Sequence, residues 1–247
     1  MESLFTAESA NLDQYKQSLV RTIVCEFRFP TLLELGEAKP PIDFARSLRK
    51  SYPNLERGNE LSIGASGTGS TFFHVFRSIK GGWSISLKPN SVAIEGTHYK
   101  GFSELLKRAA ELVPAAEKII DSTFFTRIGL RYINVIDQPA DPIGEGWINP
   151  SLVAPVLEGN ARGISDYSGR LAAGDEEKGF LLQHGLRFAA ADLDAKEQRP
   201  QYVIDIDVYQ QEVEVSDSIS VIERLHSSAF QIFDWSLGDA ARNFLRG

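Results

Sequence analysis

The order of secondary-structure elements is read twice along the chain, and a repeat of this kind constrains the fold more than any other feature. Each half predicts a strand, a helix, three or four antiparallel strands and a long helix, over about residues 20–121 and 122–247. The first strands align without gaps: Cys25-Glu-Phe-Arg-Phe29 lies against Ile128-Gly-Leu-Arg-Tyr132, so Arg28 matches Arg131 and Phe29 matches Tyr132.

The elements follow from periodicity. Arg21–Phe29 alternates, with Ile23, Cys25, Phe27 and Phe29 on one side and Val24, Glu26 and Arg28 on the other, as a strand with one buried face requires. Residues 1–20 are polar and read as a frayed or peripheral segment. Phe44, Leu48 and Tyr52 predict a helix stopped by Pro53, and strands follow at Leu61–Gly64, Thr71–Ile79, Trp83–Lys88 and Val92–Glu95. The strongest helical stripe is Phe102, Leu105, Leu106, Ala109, Val113, Ala116 and Ile120, where Pro114 predicts a kink or restart. In the second half, Phe124–Ile136 is a strand and Asp137–Pro150 a loop, with a short helix near Ser151–Leu157. Strands are predicted at Tyr167–Ala173, Phe180–Ala190 and Tyr202–Gln211. Ile222, Leu225, Ala229 and Ile232 mark the closing helix, and Asp239–Leu245 adds a last turn or two.

The expected fold is therefore α+β: two pseudo-repeats forming one curved antiparallel sheet with helices on one face, a single domain over 1–247. In outline this is similar to the saddle of TATA-binding-protein-like folds, an analogy of architecture that carries no function.

Three segments, Trp83-Ser-Ile-Ser-Leu-Lys-Pro-Asn90, Ile94-Glu-Gly-Thr-His-Tyr99 with Gly101-Phe102, and Arg127-Ile-Gly-Leu-Arg-Tyr-Ile-Asn134, together with Leu225-His226 and Phe230, carry a resemblance. They resemble a sporadically distributed family of uncharacterised bacterial proteins of about this length. The Arg-x-Gly-Leu-Arg-Tyr-x-Asn element is the most specific part. The resemblance implies a bacterial, cytoplasmic protein and no particular reaction; scattered distribution suggests an accessory role in phage defence or a toxin–antitoxin module.

Charge narrows the partners. The net −7 divides into +1 over residues 1–121 and −8 over residues 122–247. No block of Lys and Arg tracks a phosphate backbone, so nucleic acid is not the expected partner. No run reaches the ~20 apolar residues of a membrane helix, and Met1–Ser18 is too polar for a signal peptide, so a cytoplasmic location without membrane contact is expected. The single cysteine excludes an intramolecular disulfide framework.

Chemistry-bearing motifs are sparse. His74, His98, His184 and His226 lack metal-ligand spacing, so no metal or cofactor is expected. His226 lies on an apolar stripe and reads as a hydrogen-bonded core histidine; Cys25 shares its face with Ile23 and Phe27 and reads as an inert thiol. Gly64-Ala-Ser-Gly-Thr-Gly-Ser-Thr71 lacks the Gly-Lys ending of a phosphate loop and enters a strand, so it reads as a hairpin connection. Asp166, Ser168 and His184 have no nucleophile elbow to support a hydrolase.

The informative residues are charged ones opposite the apolar sides of their strands: Glu26, Arg28, Arg127, Arg131, Asp205, Asp207 and Tyr209. Their plain reading is an ion-pair ladder. Their functional reading is a recognition surface, with Asn134 added from the same element. The expected function is a non-enzymatic binding protein that contacts a protein partner there. The alternative is an enzyme or sensor that takes a phosphorylated small ligand or nucleotide on Arg127, Arg131 and Asp205/Asp207.

Overall fold

A computed structural model describes residues 14–64, 67–159, 163–190 and 198–247. In chain order the elements are β1 (Val20–Arg28), α1 (Ile42–Leu48), β2 (Asn54–Gly64), β3 (Gly67–Arg77), β4 (Trp83–Lys88), β5 (Ser91–Gly96), α2 (Phe102–Ile120) and β6 (Phe124–Ile136). Then come α3 (Pro150–Leu157), β7 (Tyr167–Gly174), β8 (Lys178–Ala190), β9 (Gln198–Glu214), α4 (Ser218–Ser236) and α5 (Asp239–Arg246). The fold is α+β. Its nine strands hydrogen-bond in the order β2-β3-β4-β5-β1-β6-β9-β8-β7, and the hairpins β2–β3, β3–β4, β4–β5 and β7–β8 are antiparallel, as is β1–β5.

The chain forms two compact units, and neither is continuous in sequence. One contains Thr22–Leu130 with Tyr209–Leu225; the other contains Met1–Arg21, Arg131–Val208 and His226–Gly247. The chain passes between them within β1, β6, β9 and α4.

In the first of these units the alternation of β1 places Ile23, Cys25 and Phe27 fully inside, and Cys25 and Phe27 stand opposite the equally buried Ile94 and Val92 of β5. Phe27 and Phe125 pack with ring centroids 5.2 Å apart. Helix α2 buries Leu105, Ala109, Leu112 and Ala116 at 3.6-residue spacing. Each of the two leucines contributes roughly 1.5–3 kcal/mol, and each alanine methyl about 0.8 kcal/mol. Pro114 neither ends nor restarts α2, which is unbroken from Phe102 to Ile120. Ala110 and Pro114 both face solvent, so the carbonyl that proline leaves without an amide donor is hydrated rather than buried.

Two strands are longer than their apolar pattern indicates. Strand β2 begins at Asn54 rather than Leu61. It is the sheet's edge, and its exposed residues Asn54–Arg57 carry no core-facing alternation. Strand β9 reaches Glu214 because its alternation slips by one at Glu212, whose φ of 50° is left-handed; buried Val208 is followed by buried Val213. Gly64 pairs with Gly67, so the glycine-rich segment is a hairpin tip, with Ala65 and Ser66 outside the described residues.

In the other unit Tyr202, Ile204 and Ile206 of β9 are completely buried, as are Val153 of α3 and Ala241 of α5. The described part of the first twenty residues is not frayed. Lys16 and Gln17 donate their amides to the Leu245 carbonyl at 2.7 and 3.0 Å, Leu19 is buried, and the Val135 amide reaches the Leu19 carbonyl at 3.0 Å.

Gly185 of β8 faces Ser168 of β7, and a Cβ there would stand 2.3 Å from the Tyr167 carbonyl oxygen. Because backbone must move to admit it, Gly185→Ala should cost about 1–3 kcal/mol. At Gly58 the obstacle is the Phe73 ring, at 2.1 Å, which can rotate away, so Gly58→Ala should cost less. Urea midpoints of the two variants test this order.

Candidate functional site

The charged residues that the strand pattern singles out form two clusters, one in each unit. In the first, Glu26 and Arg28 share the polar side of β1, and Arg28 Nε donates to Glu26 Oε2 at 2.6 Å. Arg127 of β6 reaches the same oxygen at 3.4 Å, and its guanidinium lies 4.7 Å from the centroid of the Tyr209 ring, within cation–π range. Gly129 explains how it lies there. A Cβ at that position would stand 2.4 Å from an Arg127 terminal nitrogen, so the glycine in Arg-x-Gly-Leu-Arg is the bed on which the first arginine rests.

The second cluster joins Arg131 of β6 to Asp205 of β9. Nε and one terminal nitrogen of the guanidinium donate to the two carboxylate oxygens at 2.8 and 2.6 Å, a bidentate fork. Arg131 keeps 47% of its side chain exposed while Asp205 keeps 15%. The Asp205 hydrogen bonds hold the Arg131 pKa above its ordinary value, with the carboxylates of Asp205 and Asp207 adding to the effect. Arg131, Asp205, Asp207, Leu181 and Gln183 line a small notch of about 170 Å³.

The ion-pair ladder is thus present, and the structure brings Arg28, Arg127 and Tyr209 to one cluster and Arg131, Asp205 and Asp207 to the other. Asn134 joins neither. It stands on the apolar side of β6 with Tyr132, is 2% exposed, and its amide donates to the Ile204 carbonyl at 3.1 Å. Its parity with Ile128, Leu130 and Tyr132 already marks that side.

Of the remaining candidates His98, Asp166 and Ser168 are exposed, and the others are buried or part-buried. His226 Nδ1 is 2.8 Å from the Tyr132 hydroxyl, and burial lowers its pKa to about 4. His184 Nδ1 is 2.6 Å from the Tyr202 hydroxyl, and the ring lies over Gly169, where a Cβ would meet it at 2.3 Å. Burial lowers the His184 pKa and raises that of Tyr202. His74 is buried with Nε2 3.0 Å from the Glu37 carbonyl, and burial lowers its pKa too. Cys25 is buried, which pushes its thiol pKa up, the opposite of what a nucleophile needs. Among the described residues no three His, Cys, Asp or Glu side chains group to hold a metal, and no helix is long and apolar enough to cross a membrane.

The structure adds one place that the periodicity does not show, a groove of about 410 Å³ between α1 and the start of β2. Its signals in the sequence are the cations Arg46, in the last turn of α1, and Arg49, its C-cap, with the exposed Ile42, none of which belongs to the Phe44–Leu48 stripe.

No protein-family model, curated protein or solved structure matches the chain.

Proposed function

We propose that the chain is a non-catalytic accessory protein that binds a protein partner through the charged strand faces. The observation that carries this reading is the Arg131–Asp205 fork. The fork fixes the guanidinium at no further entropic cost when a partner arrives. Two of the five guanidinium N–H donors are used, and the half-exposed remainder serves an outside acceptor. Tyr209 under Arg127 adds rigid aromatic area, and aromatic and arginine side chains dominate binding energy at protein interfaces.

The mixed sign favours protein over phosphate. A phosphorylated ligand or nucleotide on Arg131 would meet the carboxylates of Asp205 and Asp207 in the same notch, whereas a protein surface can answer both signs. The reading extends to the family that the Arg127–Asn134 element resembles and to descent from a duplicated, saddle-like unit with helices over the apolar side. In support of duplication, the first strand of each half hydrogen-bonds to that half's last strand, β1 to β5 and β6 to β9.

A charge swap tests the proposal. Arg131→Asp combined with Asp205→Arg preserves the internal pair while inverting the charge seen from outside. A photo-crosslinker at Gln183 should capture one discrete protein in the parent and lose it in the swap. The melting temperature should stay within about 2 °C, as expected for a stability change well under 1 kcal/mol. Undiminished capture by the folded swap variant would sink the idea.

A further inference from the structure

The groove between α1 and β2 shares no residue with these charged strand clusters and combines two chemistries. Its apolar part is built from Ile42, Leu55, Tyr52 and Phe76. Ile42 and Leu55 are 72% and 48% exposed. Three cations, Lys39, Arg46 and Arg49, stand around it. Arg46 is engaged only by a solvent-exposed contact to Asp43, 3.1 Å away and three residues earlier, a weak pair. Lys39 and Arg49 make no ion pair among the described residues.

The floor is fixed in place. The Tyr52 hydroxyl accepts from Arg108 at 2.9 Å, and the Arg108 guanidinium lies 4.5 Å from the centroid of the Trp83 ring and is bonded to Glu104 at 2.8 Å. A site of this volume falls in the range of small-ligand pockets, and a floor held in place before binding spares the ligand the cost of ordering it.

We infer that this groove binds a small organic anion with an apolar body, the class represented by a medium-chain acyl carboxylate or alkyl phosphate. The apolar body covers Ile42, Leu55 and the Tyr52 edge, and the anionic head sits between Lys39 and Arg49. This matches the charge division of the sequence, since the half that holds the groove is close to neutral while the other carries −8. It requires nothing of the strand clusters, so the two proposals stand or fall separately.

Calorimetric titration of the full chain with decanoate, decyl phosphate and decylammonium, each below its micelle concentration, and with inorganic phosphate tests the inference. Decanoate or decyl phosphate, or both, should bind saturably at one site, and their relative affinities identify the preferred head group. Binding should weaken as salt is added. Lys39→Ala with Arg49→Ala should raise Kd about tenfold, the effect of losing two exposed charge contacts. Both side chains are exposed, so this variant keeps the fold. Ala45→Phe, which fills the groove, should abolish binding, with the melting curve confirming that the variant is folded. The inference is overturned if neither anion binds saturably or if decylammonium binds as well as the tighter of the two anions. It is equally overturned if inorganic phosphate binds as well as the tighter of the two anions, since the apolar floor would then contribute nothing, or if the double variant binds like the parent.

Discussion

Asp234→Ala should lower the unfolding free energy by about 3–5 kcal/mol, the cost of removing one member of a buried ion pair. Asp234 lies in α4 and is 2% exposed. Its carboxylate accepts from the Tyr15 hydroxyl and, at 3.4 Å, from Arg242 Nε, while its backbone carbonyl accepts from an Arg242 terminal nitrogen at 2.6 Å. Truncation leaves a part-buried hydroxyl without that acceptor and a largely buried guanidinium without its nearest anion. The alternative carboxylate, Asp239, is 3.8 Å away and fully solvated, so it replaces little of the lost field.

The same substitution should loosen the N-terminal segment, because Tyr15 is held to α4 by this bond and by an edge contact with Phe230 at 5.8 Å. Asp234→Asn keeps an acceptor for Tyr15 and loses only the charge, so its cost should be smaller. Tyr15 titrates at about 12, raised first by burial and then by Asp234; in Asp234→Asn its pKa should fall part of the way toward 10. Urea unfolding gives the free energies and absorbance titration gives the tyrosine. A loss below about 1 kcal/mol in Asp234→Ala would show that the pair is solvated and the anchor unimportant.

This anchor is invisible in the sequence, and the reason is physical. Tyr15–Leu19 docks through two backbone amides on one carbonyl, one side-chain bond and one buried leucine, none of which produces a period. Strand β1 is legible because Ile23, Cys25 and Phe27 alternate into a core. The first part of β2 is illegible because an edge strand is held by its ladder to β3 and needs no apolar face.

The site divides the same way. Arg127, Arg131, Asp205 and Asp207 can be placed on polar strand sides from a period of two. That Arg131 meets Asp205, and that Arg127 meets Glu26 and Tyr209, depends on which strands neighbour one another and in what register, a tertiary property. Asn134 differs, since parity alone assigns it to the buried side of β6, where it is 2% exposed. The α1–β2 groove needs a loop residue, a helix face and an edge strand brought together, and no local pattern reports that.

Lowering the pH from 7 to 4 should cost roughly 3 kcal/mol through His226 alone. Its folded pKa of about 4 lies below the ordinary 6.5, and the cause is burial. With the folded value depressed, the unfolded chain binds a proton at pH values where the folded chain does not. The stabilisation is complete above about pH 6.5, declines as the pH falls, and levels off below about 4, with a slope of at most about 1.4 kcal/mol per pH unit. His184 and His74 are shifted in the same direction by burial, so they steepen the decline below pH 6.5. His226→Phe keeps an aromatic ring beside Tyr132 but removes the proton. It should be less stable than the parent at pH 7, where the Tyr132 hydroxyl loses its neighbour at 2.8 Å. Its loss of stability between pH 7 and 4 should be smaller than the parent's by about the same 3 kcal/mol. Urea unfolding at half-unit pH steps reads both curves, and a proton NMR titration of His226 places its pKa directly. Parallel curves for the parent and His226→Phe would mean that this histidine takes up its proton in the folded state as readily as in the unfolded one.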